Sequence, residues 1–142
     1  MKKENKKDSI KFWDKYAEAW QERVYDKRKE YINFPVSRQR QDITVQKIEE
    51  LSRNKNASII DFGCADGELV RALLRKGFMN VKGIDNSAKM IETAKKITKE
   101  EMKNVDADKI FFSGDADDFD KKEKFDFVVA MGLIEYLLDI DK

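Results

Sequence analysis

From about Ser9 to Glu30 the chain carries neither glycine nor proline, and Phe12, Trp13, Tyr16, Trp20 and Val24 recur at three-to-four-residue spacing. That period gathers them into one stripe of an amphipathic helix. Asn33-Phe34-Pro35 interrupts the pattern, because the residue before a proline is pushed out of the helical region. Ser37 is placed to cap a second helix, which the apolar positions Ile43, Val45, Ile48 and Leu51 carry to about Arg53. After the polar turn Asn54-Lys55-Asn56 the period changes. The run Ala57-Ser58-Ile59-Ile60-Asp61-Phe62 is short, rich in β-branched residues and bounded by Gly63, as suits a buried strand. Glu68 to Lys76 is predicted helical and ended by Gly77, Asn80 to Ile84 a second strand, and Ala88 to about Lys103 a third major helix. Lys109-Ile110-Phe111-Phe112 and Phe125 to Ala130 complete the pattern as third and fourth strands.

Strands alternating with helices imply right-handed βαβ units, hence an α/β fold with an open parallel sheet and helices on both faces. The length of 142 residues, 41% of them hydrophobic, suits one domain with a modest core. Within it, residues 1–54 read as a tail and capping helices, and residues 55–142 as the α/β core.

Charge narrows the partners. Lys and Arg number 29 against 28 Asp and Glu, so no net field is available to hold a nucleic acid or a membrane surface. The charged start Met1 to Asp8 is followed by no apolar run long enough for a signal peptide or a membrane span, and reads as a solvated tail. Cys64 is the single cysteine and histidine is absent, which leaves no internal disulfide and no zinc-type ligand set and makes the cytosol the expected compartment. Without histidine, proton transfer near neutral pH would fall to a carboxylate, a tyrosine, a lysine, Cys64 or water.

In an open parallel sheet, ligands bind beyond the carboxyl ends of the strands. Gly63 to Gly67 follows the first strand at that edge, where Gly63, Ala65 and Gly67 allow close approach to backbone and the next helix presents free amides. Two nucleotide-like cofactors use such a loop. A dinucleotide fingerprint needs G-x-G-x-x-G, but those positions hold Gly63, Ala65 and Glu68, which sets a carboxylate where a pyrophosphate would lie. S-adenosylmethionine carries a sulfonium and an ammonium cation and no phosphate, so Asp61, Asp66 and Glu68 suit it better. Asp85 ends the second strand 22 positions after Gly63, near the roughly 20-residue spacing at which an acid meets a ribose. Asp85-Asn86-Ser87 is equally a plain helix cap.

Asp61-Phe62-Gly63-Cys64-Ala65-Asp66-Gly67 resembles the first motif of class I, Rossmann-like methyltransferases that use S-adenosylmethionine, with Ala65 in place of the middle glycine, a change tolerable at negative φ. Val81 to Met90 is similar to the family's second motif, and the resemblance implies that Asp85 meets the ribose while Asn86 and Met90 flank the adenine. Gly114-Asp115-Ala116 resembles the turn that meets the adenine edge, although Asp115 with Asp117, Asp118 and Asp120 also reads as a solvated acidic loop. Met131 and Gly132 fall where the family approaches the methionine part of the cofactor. Glu135 and Tyr136 are explained equally well by an amphipathic helix and receive no catalytic role.

Phe12 to Trp20 looks like the leading helix of small-molecule methyltransferases, a lid in which Tyr16 and Trp20 would face the cofactor while Phe12 and Trp13 pack against helices. Arg38 and Arg40 are within range of the cofactor carboxylate, though solvated helix positions are their default. The resemblance implies a seven-stranded sheet of which four strands are present, so the fourth strand should form an apolar edge open to a second copy or a partner chain. A truncated enzyme, a split enzyme and a small binding module compete to explain this, and truncation is the expectation. The expected activity is methyl transfer to an O, N or C nucleophile of a small-molecule acceptor. The alternatives are a non-catalytic nucleoside-binding module and, less compatible with Glu68, a nicotinamide oxidoreductase.

Overall fold

The computed structural model describes residues 3–24, 35–116 and 122–133. In chain order the elements are α1 (Lys3–Val24), α2 (Pro35–Leu51), β1 (Ile59–Phe62), α3 (Glu68–Arg75), β2 (Val81–Asp85), α4 (Ala88–Glu101), a 3₁₀ turn (Ala107–Lys109), β3 (Phe111–Ser113) and β4 (Phe127–Val129). The strands form one parallel sheet in the order β3-β2-β1-β4. From β1 the chain steps outward through β2 to β3 and returns to the other side of β1 as β4, so the strand order reverses at β1. Loops diverge at such a switch point and leave a crevice at the strand ends.

Alternation along the strands, combined with the register, assigns side chains to faces. Ile59 pairs with Val81 and Phe127, and Gly83 with Phe111, which puts these residues on one face with Asp61 and Val129. That face meets Val45 and Ile48 of α2, Leu69, Val70, Leu73 and Leu74 of α3, and Ile91 and Ala94 of α4 in one hydrophobic core. Gly83 is required there, since a Cβ would stand 2.9 Å from Cys64 Sγ and 3.0 Å from the Phe111 ring. The other face carries Ile60, Lys82, Ile84, Phe112 and Val128, with Val128 61% exposed on β4, a terminal strand among the described residues.

Of the boundaries that differ from the sequence expectation, three bear on the packing. α1 begins at Lys3, so part of the charged start is helical, and residues 25–30 of the expected helix lie outside the described residues. α2 begins at Pro35, whose fixed φ and missing N–H suit a first turn, and Ser37 stands inside the helix instead of ahead of it. β3 begins at Phe111 and not Lys109, because Asp106 accepts the Asp108 amide at 3.2 Å and draws Ala107–Lys109 into a 3₁₀ turn. Among the described residues no helix is long and apolar enough to cross a membrane.

Candidate functional site

A cleft of about 270 Å³ opens at the carboxyl ends of the strands, roofed by α1. Its floor and walls include Asp61, Phe62, Gly63, Cys64 and Ala65 after β1, Ile84, Asp85, Asn86 and Met90 after β2, Gly114, Asp115 and Ala116 after β3, and Met131, Gly132 and Leu133 after β4. Ser9, Trp13 and Trp20 of α1, Arg40 of α2 and Leu69 of α3 complete it. Four strand ends thus deliver their loops to one space, as the topology requires.

Asp85 organises this space. Its Oδ2 accepts the Ala65 amide at 2.9 Å and its Oδ1 accepts the Ser87 amide at 2.9 Å, which joins the loops after β1 and β2. Burial pushes the Asp85 carboxyl above its usual range, with the Ser87 and Ala65 amides opposing and Asp14 adding to the rise. Asp61, 2% exposed, is pushed up to about 8 by burial and then by the Asp85 charge. Among the described residues neither acid forms an ion pair. Burial, helped by Asp61, Asp85 and Asp66, also raises the Cys64 thiol well above its ordinary value, so Cys64 contributes a neutral wall and not a thiolate.

The glycine-rich turn holds a surprise at Ala65, whose φ of 47° lies in the left-handed region. The condition on which alanine replaces glycine without strain is therefore not met, and the turn stores roughly 1–2 kcal/mol at this residue. Gly67, at φ 78°, is excluded from a side chain by packing as well, since a Cβ would stand 2.5 Å from the Phe111 ring. Gly67 and Asp66 do not line the cleft. Asp66 is 1% exposed beneath the loop, with its Oδ2 lacking a hydrogen-bond partner and Arg71 Nη2 at 3.8 Å. Burial raises it to about 6 against the pull of Arg71.

Glu68 corrects the electrostatic expectation. Its carboxylate is held by Arg71 Nη2 at 2.8 Å and Arg75 Nη1 at 3.0 Å, and it does not face the cleft. Burial would raise it, but the two guanidinium groups hold it below the ordinary value. Arg71, fully buried, also donates to the Asp66 carbonyl at 2.6 Å, so this network braces the turn from below. The acidity presented to a ligand comes from Asp61, Asp85 and Asp115.

On α1, Ser9, Trp13 and Trp20 line the cleft, and Tyr16 does not. Tyr16 packs on Phe12 with ring centroids 4.5 Å apart. Trp13 and Trp20 meet edge to face at 5.0 Å, and the buried Trp20 Nε1 has no hydrogen-bond partner. Arg40 lines the cleft while Arg38 does not. Phe62, Ile84, Leu69 and Leu133 carried no chemical signal in the sequence and enter as neighbours of residues that did. Asp117, Asp118, Asp120, Glu135 and Tyr136 lie outside the described residues.

The sequence profile described as a methyltransferase domain matches residues 36–142. The chain is 32% identical over 142 residues to a ubiquinone biosynthesis O-methyltransferase of Pelagibacter ubique, an alignment covering 96% of this chain and 56% of that protein. A protein of the same name from Nitrobacter winogradskyi is 28% identical over 103 residues, covering 70% of this chain and 38% of its own length. The chain therefore spans about half the length, or less, of these curated relatives. In structure it resembles magnesium protoporphyrin IX methyltransferase from Synechocystis PCC 6803, crystallised with bound S-adenosylmethionine, at a TM-score of 0.70 and 23% identity over 90% of this chain and 64% of that one. It also resembles the PH0226 protein of Pyrococcus horikoshii OT3, at a TM-score of 0.55 and 27% identity over 80% of this chain and 49% of the other. With the glycine-rich turn, the acid ending β2 and the cleft at the switch point, these similarities place the chain in the methyltransferase-domain family, among the class I S-adenosylmethionine-dependent methyltransferases.

Proposed function

We propose that the cleft binds S-adenosylmethionine and that the chain supplies the cofactor-binding part of a methyl transfer to a small-molecule acceptor. The observation that carries this is the pair Asp61 and Asp85, a buried and a half-buried acid lining one cleft with no ion-pair partner among the described residues. A buried acid of this kind is stabilised by a cation brought by the ligand. A ligand with an ammonium and a sulfonium meets that need, and Arg40 offers its carboxylate a partner at the same cleft. A nicotinamide dinucleotide would instead bring two phosphate charges toward a cleft lined by three acids and supply no cation to them.

When bound, S-adenosylmethionine supplies an electrophilic methyl group. The chain's own residues bind and orient. Asp85 keeps a free lone pair on each oxygen for the ribose hydroxyls after accepting the Ala65 and Ser87 amides. Asp115, Ala116, Asn86 and Met90 enclose the adenine end, while Gly63, Cys64, Ala65, Met131 and Gly132 border the methionine end. Trp13 and Trp20 exclude water from above, so that α1 acts as the lid, while α2 packs into the core through Val45 and Ile48. Holding donor and acceptor in line is then the main source of rate.

We assign an oxygen nucleophile to the acceptor, in keeping with the O-methyltransferases among the relatives. Methyl transfer from labelled cofactor to a panel of small hydroxylated aromatic acceptors tests this. Labelled product confirms transfer by the chain. Cofactor binding without product across the panel would instead assign the chain a binding role alone.

A further inference from the structure

The lid helix α1 is joined to the core by a side-chain contact that the cofactor motifs do not require. Asp14 Oδ1 accepts the Ser87 hydroxyl at 2.5 Å and faces the Lys89 amide at 3.4 Å. Ser87 is the N-cap of α4, where its Oγ accepts the Met90 amide at 3.1 Å. Its own amide donates to Asp85 Oδ1 at 2.9 Å. One chain of hydrogen bonds therefore runs from α1 through the α4 cap to the acid that ends β2. An anionic acceptor at a helix N-terminus is also favoured by the exposed amides and dipole there. On α1, Trp13 is the immediate neighbour of Asp14, and Ser9, Trp13 and Trp20 face the cleft. A rigid helix fixed in translation and rotation at Asp14 has both tryptophans fixed over the cleft.

We propose that Asp14 is a positioning residue for cofactor retention: its carboxylate latches α1 to the α4 N-cap and thereby sets how fast the bound cofactor leaves. The inference rests on the cofactor assignment made above. The latch belongs to the closed cleft and lies outside the ligand's own contacts, so it acts on departure more than on arrival. Breaking one charge-assisted hydrogen bond should speed departure about tenfold.

The chain's two tryptophans are Trp13 and Trp20, so intrinsic fluorescence reports the lid directly. The experiment compares the full chain with Asp14→Ala and with Asp14→Asn, which keeps one acceptor oxygen. Acrylamide quenching is measured on the ligand-free proteins, and S-adenosylhomocysteine association and dissociation by stopped flow. Asp14→Ala should increase quenching and speed dissociation about tenfold, with association changed less than about twofold and far-UV circular dichroism retained. Asp14→Asn should fall between. Wild-type quenching and wild-type dissociation in both variants would overturn the proposal. Should Asp14→Ala fail to fold, the same two readouts on Asp14→Asn decide it. Failure of the wild-type chain to bind S-adenosylhomocysteine removes the cofactor assignment and the retention role with it, while unchanged quenching alone removes the latch.

Discussion

Asp85 Oδ2 and the Ala65 amide lie 2.9 Å apart, so the acid that ends β2 holds in place the one non-glycine residue with positive φ among those described. The acid proposed to meet the ribose thus also holds the strained turn beside it, so the proposal couples binding and local stability at this pair.

Asp85→Ala removes the acceptor for the Ala65 and Ser87 amides and the expected ribose contact together. It should weaken S-adenosylhomocysteine binding by at least tenfold, about 1.4 kcal/mol, and lower unfolding stability by roughly 1–3 kcal/mol for the amides left without a partner. Calorimetry and denaturant unfolding measure the two losses separately. Unchanged affinity would remove the ribose assignment, whatever happens to stability.

Ala65→Gly should stabilise the chain by about 1 kcal/mol, because glycine occupies the left-handed region without the steric cost that alanine carries there. The midpoint of urea unfolding should rise at unchanged slope. A loss of stability would mean that the turn in solution does not hold φ near 47°.

Gly67→Ala should act in the opposite direction and more strongly. The new methyl group would meet the ring of Phe111, itself fully buried in the core, at a backbone φ of 78°. A destabilisation of about 3 kcal/mol follows from overpacking and backbone strain together. Thermal unfolding checks this, and a change below about 0.5 kcal/mol would contradict the packing described.

The pH dependence follows from Asp61. A carboxyl whose pKa is higher in the folded than in the unfolded chain retains its proton when folded, so unfolding releases protons and stability falls as pH rises. For Asp61 the window runs from 3.8 to about 8, and Asp66 adds to the fall from 3.8 to about 6. Stability of the ligand-free chain should therefore decline across the neutral range, and Asp61→Asn should flatten the decline above pH of about 6. A cationic ligand draws the Asp61 proton off, so affinity for S-adenosylmethionine should tighten with rising pH by up to about tenfold per unit below pH 8. Stability rising with pH from 6 to 8 in the wild-type chain and not in Asp61→Asn would reverse the assigned sign.

The sheet was legible because its signals are local. Ile59, Ile60, Val81 and Ile84 sit in short β-branched runs cut by Gly63 and Asp85, and the glycine spacing of the first loop survives one substitution. What escaped depends on neighbours that a linear pattern does not show. The φ of Ala65 is set by the Asp85 bond from the next strand. Glu68 reads as a cleft charge until α3 is wound, when Arg71 and Arg75 fall on its side at spacings of three and seven, a pattern already present in the sequence. Trp13 lines the cleft and Tyr16 packs on Phe12 because the stripe of α1 is wide enough to offer either, and the linear pattern does not choose between them. The 3₁₀ turn before β3 was announced by Asp106-Ala107-Asp108, an aspartate two residues ahead of the amide it caps.

Titration calorimetry of the full chain with S-adenosylmethionine and S-adenosylhomocysteine decides whether the cleft lined by Asp61 and Asp85 takes a cationic nucleoside cofactor. Saturable heat at one site is expected with both ligands, none with NAD, and loss of that heat in Asp85→Ala. A folded wild-type chain that gives no heat with either ligand, or that binds NAD in their place, would contradict the cofactor assignment.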